Sequence, residues 1–328
     1  MSSDRDRARA LFFGLALGDA LGWPVEFLER PQILAKYGRA GILEPPDPAL
    51  YTDDTQMSAA LAEGLVEAGH RDLDVLMGAV ARKFIGWKHD PVTATRAPGS
   101  TSIRGVNALE RGAPWREAGV RDSKGCGSCM RVAPVGYFYQ HEPGRLQNVA
   151  RSQGVLTHRH PTADAACIAA AYLVKLALDG VDPREYPKRV LRFGGGISAE
   201  FDAAIERVEQ VIDWQDEEAA LNVLGPTRGG GWVSDEAVAM ALYCVMRYPA
   251  DYVGAVRRAS NISGDSDSVA SIAGGVLGAR LGLTAIPIGW LARLENQMYL
   301  TDLADRLAAK KAQLYPQGRA ATGIEGQA

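Results

Sequence analysis

The segment Thr52-Asp53-Asp54-Thr55, called here the first acidic segment, concentrates side-chain oxygens at one point of the sequence. Adjacent carboxylates repel each other, and holding them together costs free energy unless a cation neutralises them. Hard oxygen ligands of this kind suit Mg²⁺ or Mn²⁺ better than zinc or copper. The same residue types are favourable at the N-terminus of a helix, so this segment alone permits either a metal site or a helix cap.

A second acidic segment, Gly264-Asp265-Ser266-Asp267-Ser268, occurs far along the chain. Its alternating aspartates, with hydroxyls between them and a glycine in front, are typical of a short metal-binding loop. The segment is not an EF-hand, because the further acids and the glutamate at position twelve of that loop are missing. Two acidic helix starts could converge on one binuclear site, in which metals about 3.5–4 Å apart bind water and polarise a leaving oxygen.

A third acid, Glu26, lies in the otherwise apolar segment Gly22-Trp23-Pro24-Val25-Glu26-Phe27. A glutamate in a loop is commonly an ordinary surface residue. If the segment instead lines a cleft, the carboxylate of Glu26 could act as a general base or bridge a metal. The residues alone leave both interpretations open.

Most of the sequence has helical composition or periodicity, and strand patterns are few. We therefore expect helices to position these acids. Helices are predicted at 55–66, 164–178, 234–246 with Ser234 as N-cap, 266–281 and 291–314. The best strand candidate is 130–139, which Pro134 and Gly136 weaken. One all-α domain over residues 1–315, followed by a flexible tail at 316–328, is the simplest account.

Composition and charge argue against several classes of function. The formal net charge is −3 and the pI about 6.0, so no bulk positive field predicts binding to nucleic acid or to a membrane.

The N-terminal residues resemble a signal peptide only in part. Basic residues precede the apolar run 11–17, but Asp4 and Asp6 lie among them and the run is short. An amphipathic first helix in a cytoplasmic protein fits better, and no apolar stretch reaches the roughly 20 residues that span a bilayer.

The four cysteines do not indicate a zinc or redox centre. Cys167 and Cys244 lie in apolar runs and are typical of small core residues. Cys126 and Cys129 form a C-x-x-C pair, but two further zinc ligands at a matching spacing are missing. The βαβ context of a thioredoxin-like site is missing as well.

In combination, the motifs resemble those of the ADP-ribosylglycohydrolases. The resemblance is carried by the run GLALGDALG at 14–22, by Glu26-Phe27 and by the two acidic segments, in order and at fitting spacing from about residue 8 to about residue 295. It implies an all-α fold, a compact orthogonal helical bundle, with a binuclear centre of two Mg²⁺ (or Mn²⁺) ions.

The resemblance also implies two sets of metal ligands. One set is Thr52, Asp53 and Asp54, and the other is Asp265, Asp267 and Ser268. Ser268 stands where the family usually has threonine, and a serine hydroxyl can still coordinate. Glu26 matches a glutamate that approaches the metals and the scissile bond in some members.

Two further stretches resemble the family's ligand cradle. Gly99, Ser100 and Thr101 match the loop that faces the diphosphate, and Gly127, Ser128, Met130 and Arg131 match the segment G-x-G-S-x-M-R. Glycines let backbone N–H groups close on phosphate oxygens, and a serine adds a hydroxyl donor. For Arg131, a cation for the ligand and a structural salt bridge are both open. Cys126 and Cys129 depart from the family, where Asn and Ala are commoner.

Three more residues receive roles from the resemblance. His158 matches a histidine near the ribose, and the alternative is that it caps the helix that follows. For His160, the role of helix cap is favoured. Asp90 loosely resembles an aspartate assigned to catalysis in arginine-specific members. Trp232, in the loop Gly229-Gly230-Gly231-Trp232, matches a position near the substrate and could stack on a base or simply pack.

The resemblance implies hydrolysis of the glycosidic bond at the anomeric carbon of ADP-ribose, through an oxocarbenium-like transition state. A carboxylate, Glu26 first and Asp54 or Asp90 next, would take the proton from water. The substrate would be a protein ADP-ribosylated on a side chain such as arginine or serine, or another ADP-ribose conjugate, and the enzyme a monomer. The alternatives are a two-metal phosphohydrolase on nucleotide-like substrates, a protein that only binds ADP-ribose, and a structural helical domain with chance acidic caps.

Overall fold

Every regular element in the part of the chain that the computed structural model describes, residues 3–316, is helical. This range contains seventeen α-helices, five 3₁₀ turns and three isolated β-bridges, and no strand. The all-α prediction is therefore confirmed. The predicted tail at 316–328 lies almost entirely outside the described residues, and the single domain over 1–315 stays a prediction.

The helices follow one another through short loops. The first nine are α1 (Asp4–Gly22), α2 (Arg30–Tyr37), α3 (Asp53–Ala68), α4 (Leu73–His89), α5 (Ser100–Glu110), α6 (Trp115–Ala118), α7 (Ala133–Phe138), α8 (Pro143–Val155) and α9 (Pro161–Leu178). The other eight are α10 (Tyr186–Gly194), α11 (Ala199–Val211), α12 (Glu217–Leu224), α13 (Ser234–Arg247), α14 (Tyr252–Ser260), α15 (Ser266–Leu281), α16 (Ile288–Leu291) and α17 (Gln297–Leu314).

Helix α9 is the central core helix that its Ala-rich sequence predicts. Nearly all of its residues are buried. By length and composition it could cross a membrane, but 83% of its apolar window is buried inside the protein, as in a core helix. His160 caps it, because the ring Nδ1 accepts the N–H of Thr162 at 3.2 Å, in agreement with the prediction for this histidine.

The predicted strand at 130–139 is wrong. Residues Ala133–Phe138 form α7, and Pro134 lies in its first turn, where a missing N–H costs nothing. All six residues of this helix are buried. A short apolar run cannot be assigned to strand or helix by its pattern alone, and here burial on every side accompanies the helix.

Two predicted helix ends are also wrong. Helix α13 follows Val233 as its N-cap, so Ser234 is the first helical residue, and its hydroxyl has no hydrogen-bond partner within residues 3–316. The last helix begins at Gln297 and not at 291, because Asn296 has a left-handed backbone with φ of 51° that interrupts the helical path. Helix α15, by contrast, has the predicted bounds.

Helices α1 and α15 approach each other more closely than larger side chains would permit. Gly14, Gly18 and Gly22 lie at intervals of four on the face of α1 that meets α15. A Cβ atom on Gly18 would lie 2.2 Å from the carbonyl oxygen of Ala270, and one on Gly22 would lie 2.4 Å from the Cα of Asp267. This glycine face therefore brings the second acidic segment against the C-terminal end of α1.

Candidate active site

Asp19, in α1, connects the α1–α15 contact to the first acidic segment. Its carboxylate is fully buried and accepts hydrogen bonds from the N–H groups of Thr52 at 2.9 Å and Thr55 at 3.1 Å. The hydroxyl of Thr55 donates another at 2.6 Å. Asp19 received no role from the sequence, although the signal was present: an acid inside an apolar, buried helix needs hydrogen-bond partners.

The first acidic segment begins α3, and it does more than cap the helix. Thr52 is the N-cap, through its hydroxyl. The carboxylate of Asp53 accepts the N–H of Gly99 at 3.0 Å, which ties α3 to the loop before α5. Asp54 accepts a weak hydrogen bond from the hydroxyl of Ser268 at 3.4 Å through Oδ1, while its Oδ2 is buried without a partner in residues 3–316. Such an oxygen requires a cation, a water or a proton.

The second acidic segment begins α15. Asp265 is the N-cap, and its Oδ1 accepts the N–H of Ser268 at 3.3 Å, as does Oδ1 of Asp267 at 3.0 Å. Gly264 has a φ of 126°, and a Cβ there would lie 2.1 Å from the carbonyl oxygen of Gly230, so only glycine fits. The N–H of Asp265 donates to the same carbonyl at 2.9 Å. The glycine-rich loop around Gly230 is therefore packed directly against the acids.

Glu26 faces the same cluster of acids. The backbone after it is anchored to the second acidic segment, because the N–H of Phe27 donates to the carbonyl oxygen of Gly264 at 2.6 Å. Phe27 has a φ of 55°, which is uncommon for a bulky residue. Burial, followed by the repulsion that Asp265 and Asp53 exert, raises the pKa of the Glu26 carboxyl. The cleft interpretation of Glu26 is thus favoured over an ordinary surface position.

Burial and mutual repulsion raise the pKa values of these acids. Burial raises the pKa of Asp53 to about 7 and that of Asp19 to about 6, although hydrogen bonds to each carboxylate oppose the shift. Burial, followed by the nearby carboxylates, raises the pKa of Glu26 to about 8. The pKa values of Asp54 and Asp267 are raised well above the usual range for the same reasons. The cluster therefore retains protons near neutral pH unless positive charge replaces them.

The donor set of the two acidic segments fits hard divalent cations. It consists of carboxylate and hydroxyl oxygens, which Mg²⁺ and Mn²⁺ prefer, and it includes the unpartnered Oδ2 of Asp54. Within residues 3–316, no three His, Cys, Asp or Glu side chains already surround a common point as a finished metal cage. Chelation would therefore require the carboxylates to rotate away from their present hydrogen bonds.

A neutral polar cradle lies beside the acids. A Cβ on Gly127 would lie 3.0 Å from the hydroxyl of Ser102 and 3.1 Å from the ring of His158, so the missing side chain leaves space between these groups. The hydroxyls of Ser102 and Ser128 are buried, and neither has a hydrogen-bond partner in the described part of the chain. Free hydroxyls of this kind can donate to phosphate oxygens. Ser102 was missed from the sequence because a serine within a helix carries no distinctive pattern.

The residues predicted to face a diphosphate lie at the start of α5. The N–H of Gly99 is already bonded to Asp53, Ser100 is exposed, and the hydroxyl of Thr101 lies 3.1 Å from that of Ser123. The N-terminus of a helix directs backbone N–H groups outward, which suits a negatively charged ligand. The bond between Gly99 and Asp53 places this loop beside the acids, and its contact with a diphosphate stays a prediction.

Arg131 holds the cradle in place through hydrogen bonds. It neither binds the ligand nor forms a salt bridge in the described part of the chain, so both predicted roles of this residue are wrong. Its guanidinium is fully buried, all of its nitrogens already donate to acceptors in the protein, and it forms no salt bridge within residues 3–316. It donates instead to the carbonyl oxygen of Gly127 at 2.8 Å, to the side chain of Gln153 at 2.8 Å and to the hydroxyl of Thr157 at 2.8 Å. Five fixed donors make arginine suited to joining several segments in this way.

The same hydrogen bonds assign the protonation of His158. Because Arg131 can only donate, the oxygen of Thr157 accepts from it and turns its own proton to Nδ1 of His158, 2.8 Å away. The carbonyl oxygen of Gly154, at 3.4 Å, is a weaker competitor. Nε2 therefore carries the ring proton. Burial, with a smaller effect of Arg131, lowers the pKa of His158 to about 3, so the ring offers a neutral N–H donor beside Gly127.

Trp232 lies at the rim of the site. Its side chain is 42% exposed, and its carbonyl oxygen accepts the N–H of Cys126 at 2.9 Å, which joins the loop 229–232 to the cradle. Glu236 fixes this loop by accepting the N–H of Gly231 at 3.1 Å. The indole is thus held near the cradle with much of its surface free to contact a ligand.

Asp90 lies apart from the acids. It ends α4, and its carboxylate accepts the N–H of Val92 at 2.9 Å. It lines a separate cavity of about 660 Å³ together with Trp87 and Tyr299, and no predicted metal ligand lines that cavity. The catalytic role that the loose resemblance suggested for Asp90 is therefore not supported by its position.

The structure thus combines an all-α fold, two acidic helix starts and a glycine-lined cradle. The family described as ADP-ribosylglycohydrolase matches residues 1–317, and the chain belongs to this family of hydrolases.

Relatives support this assignment over most of their length. The chain is 29% identical to the ADP-ribosyl-dinitrogen reductase glycohydrolase of Rhodospirillum rubrum over 309 residues, 90% of this chain and 92% of that protein. It is 27% identical to the ADP-ribosylarginine hydrolase of Serratia proteamaculans over 315 residues, 93% of this chain and 80% of that protein. A solved structure, described as an ADP-ribosylglycohydrolase-related protein complex, matches with a TM-score of 0.73 and 27% identity over 95% of this chain and 100% of that one.

Proposed function

We propose that this chain hydrolyses the glycosidic bond between ADP-ribose and a modified protein side chain and releases ADP-ribose. The observation that carries the proposal is the junction of the two acidic segments, where the hydroxyl of Ser268 and the carboxylate of Asp54 meet at 3.4 Å. The neutral cradle around Gly127 lies beside this junction and suits a diphosphate, which the ionised acids would repel without cations between them. Membership of the family supports the same reaction.

The acids support a centre of two Mg²⁺, or Mn²⁺, ions. The ligands would be Thr52, Asp53 and Asp54 for one ion and Asp265, Asp267 and Ser268 for the other. When bound, such ions supply a polarised water and a fixed position for the ribose hydroxyls. The raised pKa values of the acids support the assignment, because cations are the most direct means of letting so many buried carboxylates ionise at neutral pH.

Glu26 is the residue that we assign as general base. Its carboxylate faces the cluster, and its pKa of about 8 in the metal-free chain falls once the neighbouring acids no longer repel its charge. Ionised Glu26 then accepts a proton from the attacking water while positive charge develops at the anomeric carbon. Asp54 is the second candidate, because one of its oxygens is free. Ser102 and Nε2 of His158 donate hydrogen bonds to the bound diphosphate or ribose and remain neutral.

A protein ADP-ribosylated on arginine is the first substrate to consider. One relative is named as an ADP-ribosylarginine hydrolase and another for ADP-ribosylated dinitrogen reductase, and both are similar to this chain over 90% or more of its length. A serine-linked conjugate is the alternative. A cytoplasmic location and a monomeric state stay predictions.

Hydrolysis of defined ADP-ribosylated peptides tests this proposal. Arginine-linked and serine-linked peptides are incubated with the protein in Mg²⁺ or in EDTA, and the released ADP-ribose is quantified by chromatography. We expect release from the arginine-linked peptide in Mg²⁺ and none in EDTA. Asp267→Asn should reduce the rate by at least about a hundredfold, whereas the matched Asp90→Asn variant, outside the cluster, should keep it.

Two other outcomes would replace the proposed function. Release of inorganic phosphate or AMP from nucleotide-like substrates, without free ADP-ribose, would identify a phosphohydrolase. Tight binding of ADP-ribose without hydrolysis of any conjugate would identify a binding protein.

A further inference from the structure

The side of the acid cluster that α15 forms is lined with sulfur as well as oxygen. Cys126 lies in the 3₁₀ turn Cys126–Ser128, and its Sγ is 3.1 Å from Oδ2 of Asp265 and 3.6 Å from Oγ of Ser268. The thioether Sδ of Met130 is 3.7 Å from the same Oγ. Both sulfur-bearing side chains are buried, with 8% of Cys126 and 4% of Met130 exposed. A cation next to Asp265 and Ser268 would therefore meet a soft ligand.

We propose that Cys126 is a metal ligand and that the position beside Asp265 and Ser268 binds thiophilic divalent cations, such as Zn²⁺ or Co²⁺, more tightly than Mg²⁺. The proposal rests on the metal centre of the proposed function, because Cys126 adds to oxygens already assigned there. Sulfur ligands favour such cations, whereas Mg²⁺ favours oxygen alone. On binding, the cation takes the place of the thiol proton that Cys126 now directs at Asp265, and this proton passes to solvent.

The distances around Cys126 match those within a coordination shell. A cation about 2.3 Å from a sulfur and about 2.1 Å from an oxygen separates these two ligand atoms by about 3.1 Å at a right angle and about 3.6 Å at the tetrahedral angle. In the structure, Sγ of Cys126 lies 3.1 Å from the oxygen of Asp265 and 3.6 Å from that of Ser268. The sulfur of Cys126 therefore lies at a distance from each of these oxygens that a shared cation would require.

A separate observation points to a ligand at the same place. Oδ2 of Asp54 is buried without a hydrogen-bond partner in the described residues, and the other oxygen of this carboxylate lies 3.4 Å from the hydroxyl of Ser268. Asp54 is only 2% exposed, so bulk water does not satisfy this atom. A cation held by Cys126, Asp265 and Ser268 would lie within reach of Asp54 after rotation of its carboxylate.

Cys129 provides a matched control, because it is equally buried but differently engaged. Its thiol donates to the carbonyl oxygen of Cys126 at 3.2 Å, and its other close oxygen is the carbonyl of Ser234 at 4.0 Å. None of its hydrogen bonds within residues 3–316 reaches either acidic segment. Both cysteines are free thiols, so each can be replaced without breaking a disulfide.

A spectroscopic titration of the intact, metal-free protein with Co²⁺ tests the proposal. Sulfur bound to Co²⁺ produces a near-ultraviolet charge-transfer band that oxygen ligands do not produce. We expect this band in the wild-type protein and in Cys129→Ser, and its loss in Cys126→Ser. Calorimetry should show Co²⁺ affinity in Cys126→Ser reduced by at least about tenfold, with Mg²⁺ affinity changed by less than about threefold.

The possible failures separate the two proposals. Co²⁺ binding without the band in the wild-type protein, or a band that persists in Cys126→Ser, would overturn the role of Cys126 and leave the metal centre intact. Absence of binding by both Co²⁺ and Mg²⁺ would overturn the metal centre and this role with it. Should Cys126→Ser fail to fold, as judged by circular dichroism, Cys126→Asn introduces the family's common residue at this position and must likewise lack the band while binding Mg²⁺.

Discussion

The carboxylate of Asp19 accepts both the N–H and the hydroxyl of Thr55, at 3.1 and 2.6 Å, and so joins α1 to the first turn of α3. Asp19→Ala would leave these donors and the N–H of Thr52 buried and unpaired, at a cost of about 1–3 kcal/mol for each such group. We expect chemical denaturation to show a free energy of unfolding lower by roughly 3 kcal/mol or more. The exposed Asp213→Ala should change it by less than about 0.5 kcal/mol, and equal losses in both variants would contradict the role of Asp19.

The pKa values of the buried acids predict how the stability of the metal-free protein depends on pH. The pKa of Glu26 rises from 4.5 to about 8 in the folded chain, and that of Asp53 rises from 3.8 to about 7. A group with a raised pKa binds its proton more tightly when folded, so its stabilising contribution is complete below the unfolded pKa and is lost as the pH rises through the folded pKa. The thermal midpoint in EDTA should therefore fall from about pH 4.5 to about pH 8.

Mg²⁺ should oppose this loss, because the cation substitutes for the protons that leave. We expect Mg²⁺ to raise the thermal midpoint more at pH 8 than at pH 5, measured by scanning calorimetry at fixed ionic strength. Glu26→Gln, which removes one of the titrating groups, should flatten the pH dependence in EDTA. A midpoint in EDTA that is constant across this range would show that the acids do not share a buried environment.

Alanine substitutions at two glycines should change the stability of the protein in opposite directions, because only one of the two lies in the contact between α1 and α15. Gly18→Ala would place a Cβ 2.2 Å from the carbonyl oxygen of Ala270, so the two helices must separate at a cost of about 3 kcal/mol or more. Gly86→Ala, within α4, meets no atom of the described residues within 4 Å and should stabilise the protein by about 0.5–1 kcal/mol. Metal binding should weaken only in Gly18→Ala. Comparable stability of the two variants in urea denaturation would be inconsistent with the close helix contact.

The hydroxyl of Thr157 should control the tautomer of His158. Thr157→Val removes the donor to Nδ1, whereas Thr157→Ser retains it. Nitrogen NMR of the imidazole should show a proton on Nε2 in the wild-type protein and in Thr157→Ser, and a mixture or the other tautomer in Thr157→Val. The Kd of ADP-ribose should rise by at least about tenfold in Thr157→Val, the equivalent of one hydrogen bond to a charged group. An unchanged tautomer in Thr157→Val would contradict the assignment of the Thr157 hydroxyl as the donor to Nδ1 of His158.

The helices and the two acidic segments were predictable because their signals are local. Apolar periodicity identifies α15, and grouped carboxylates beside hydroxyls identify both helix starts without any knowledge of tertiary contacts. The roles of Asp19, Ser102 and Arg131 were not predictable, because each depends on partners remote in sequence. Arg131 is the clearest case: the sequence offers only a positive charge, and the hydrogen bonds of its guanidinium to Gly127, Gln153 and Thr157 show that it positions a loop.

The contact between α1 and α15 joins parts of the chain that are made at very different times. The hydroxyl of Ser266 donates to the carbonyl oxygen of Gly22 across 244 positions of sequence. During synthesis, Glu26 and the first acidic segment leave the ribosome long before the residues that complete their cluster exist, at a rate of about 5–20 residues per second. The two acidic segments therefore cannot meet until α15 has been synthesised. Any chain that stops before α15 lacks the second acidic segment, and so it cannot form the proposed site.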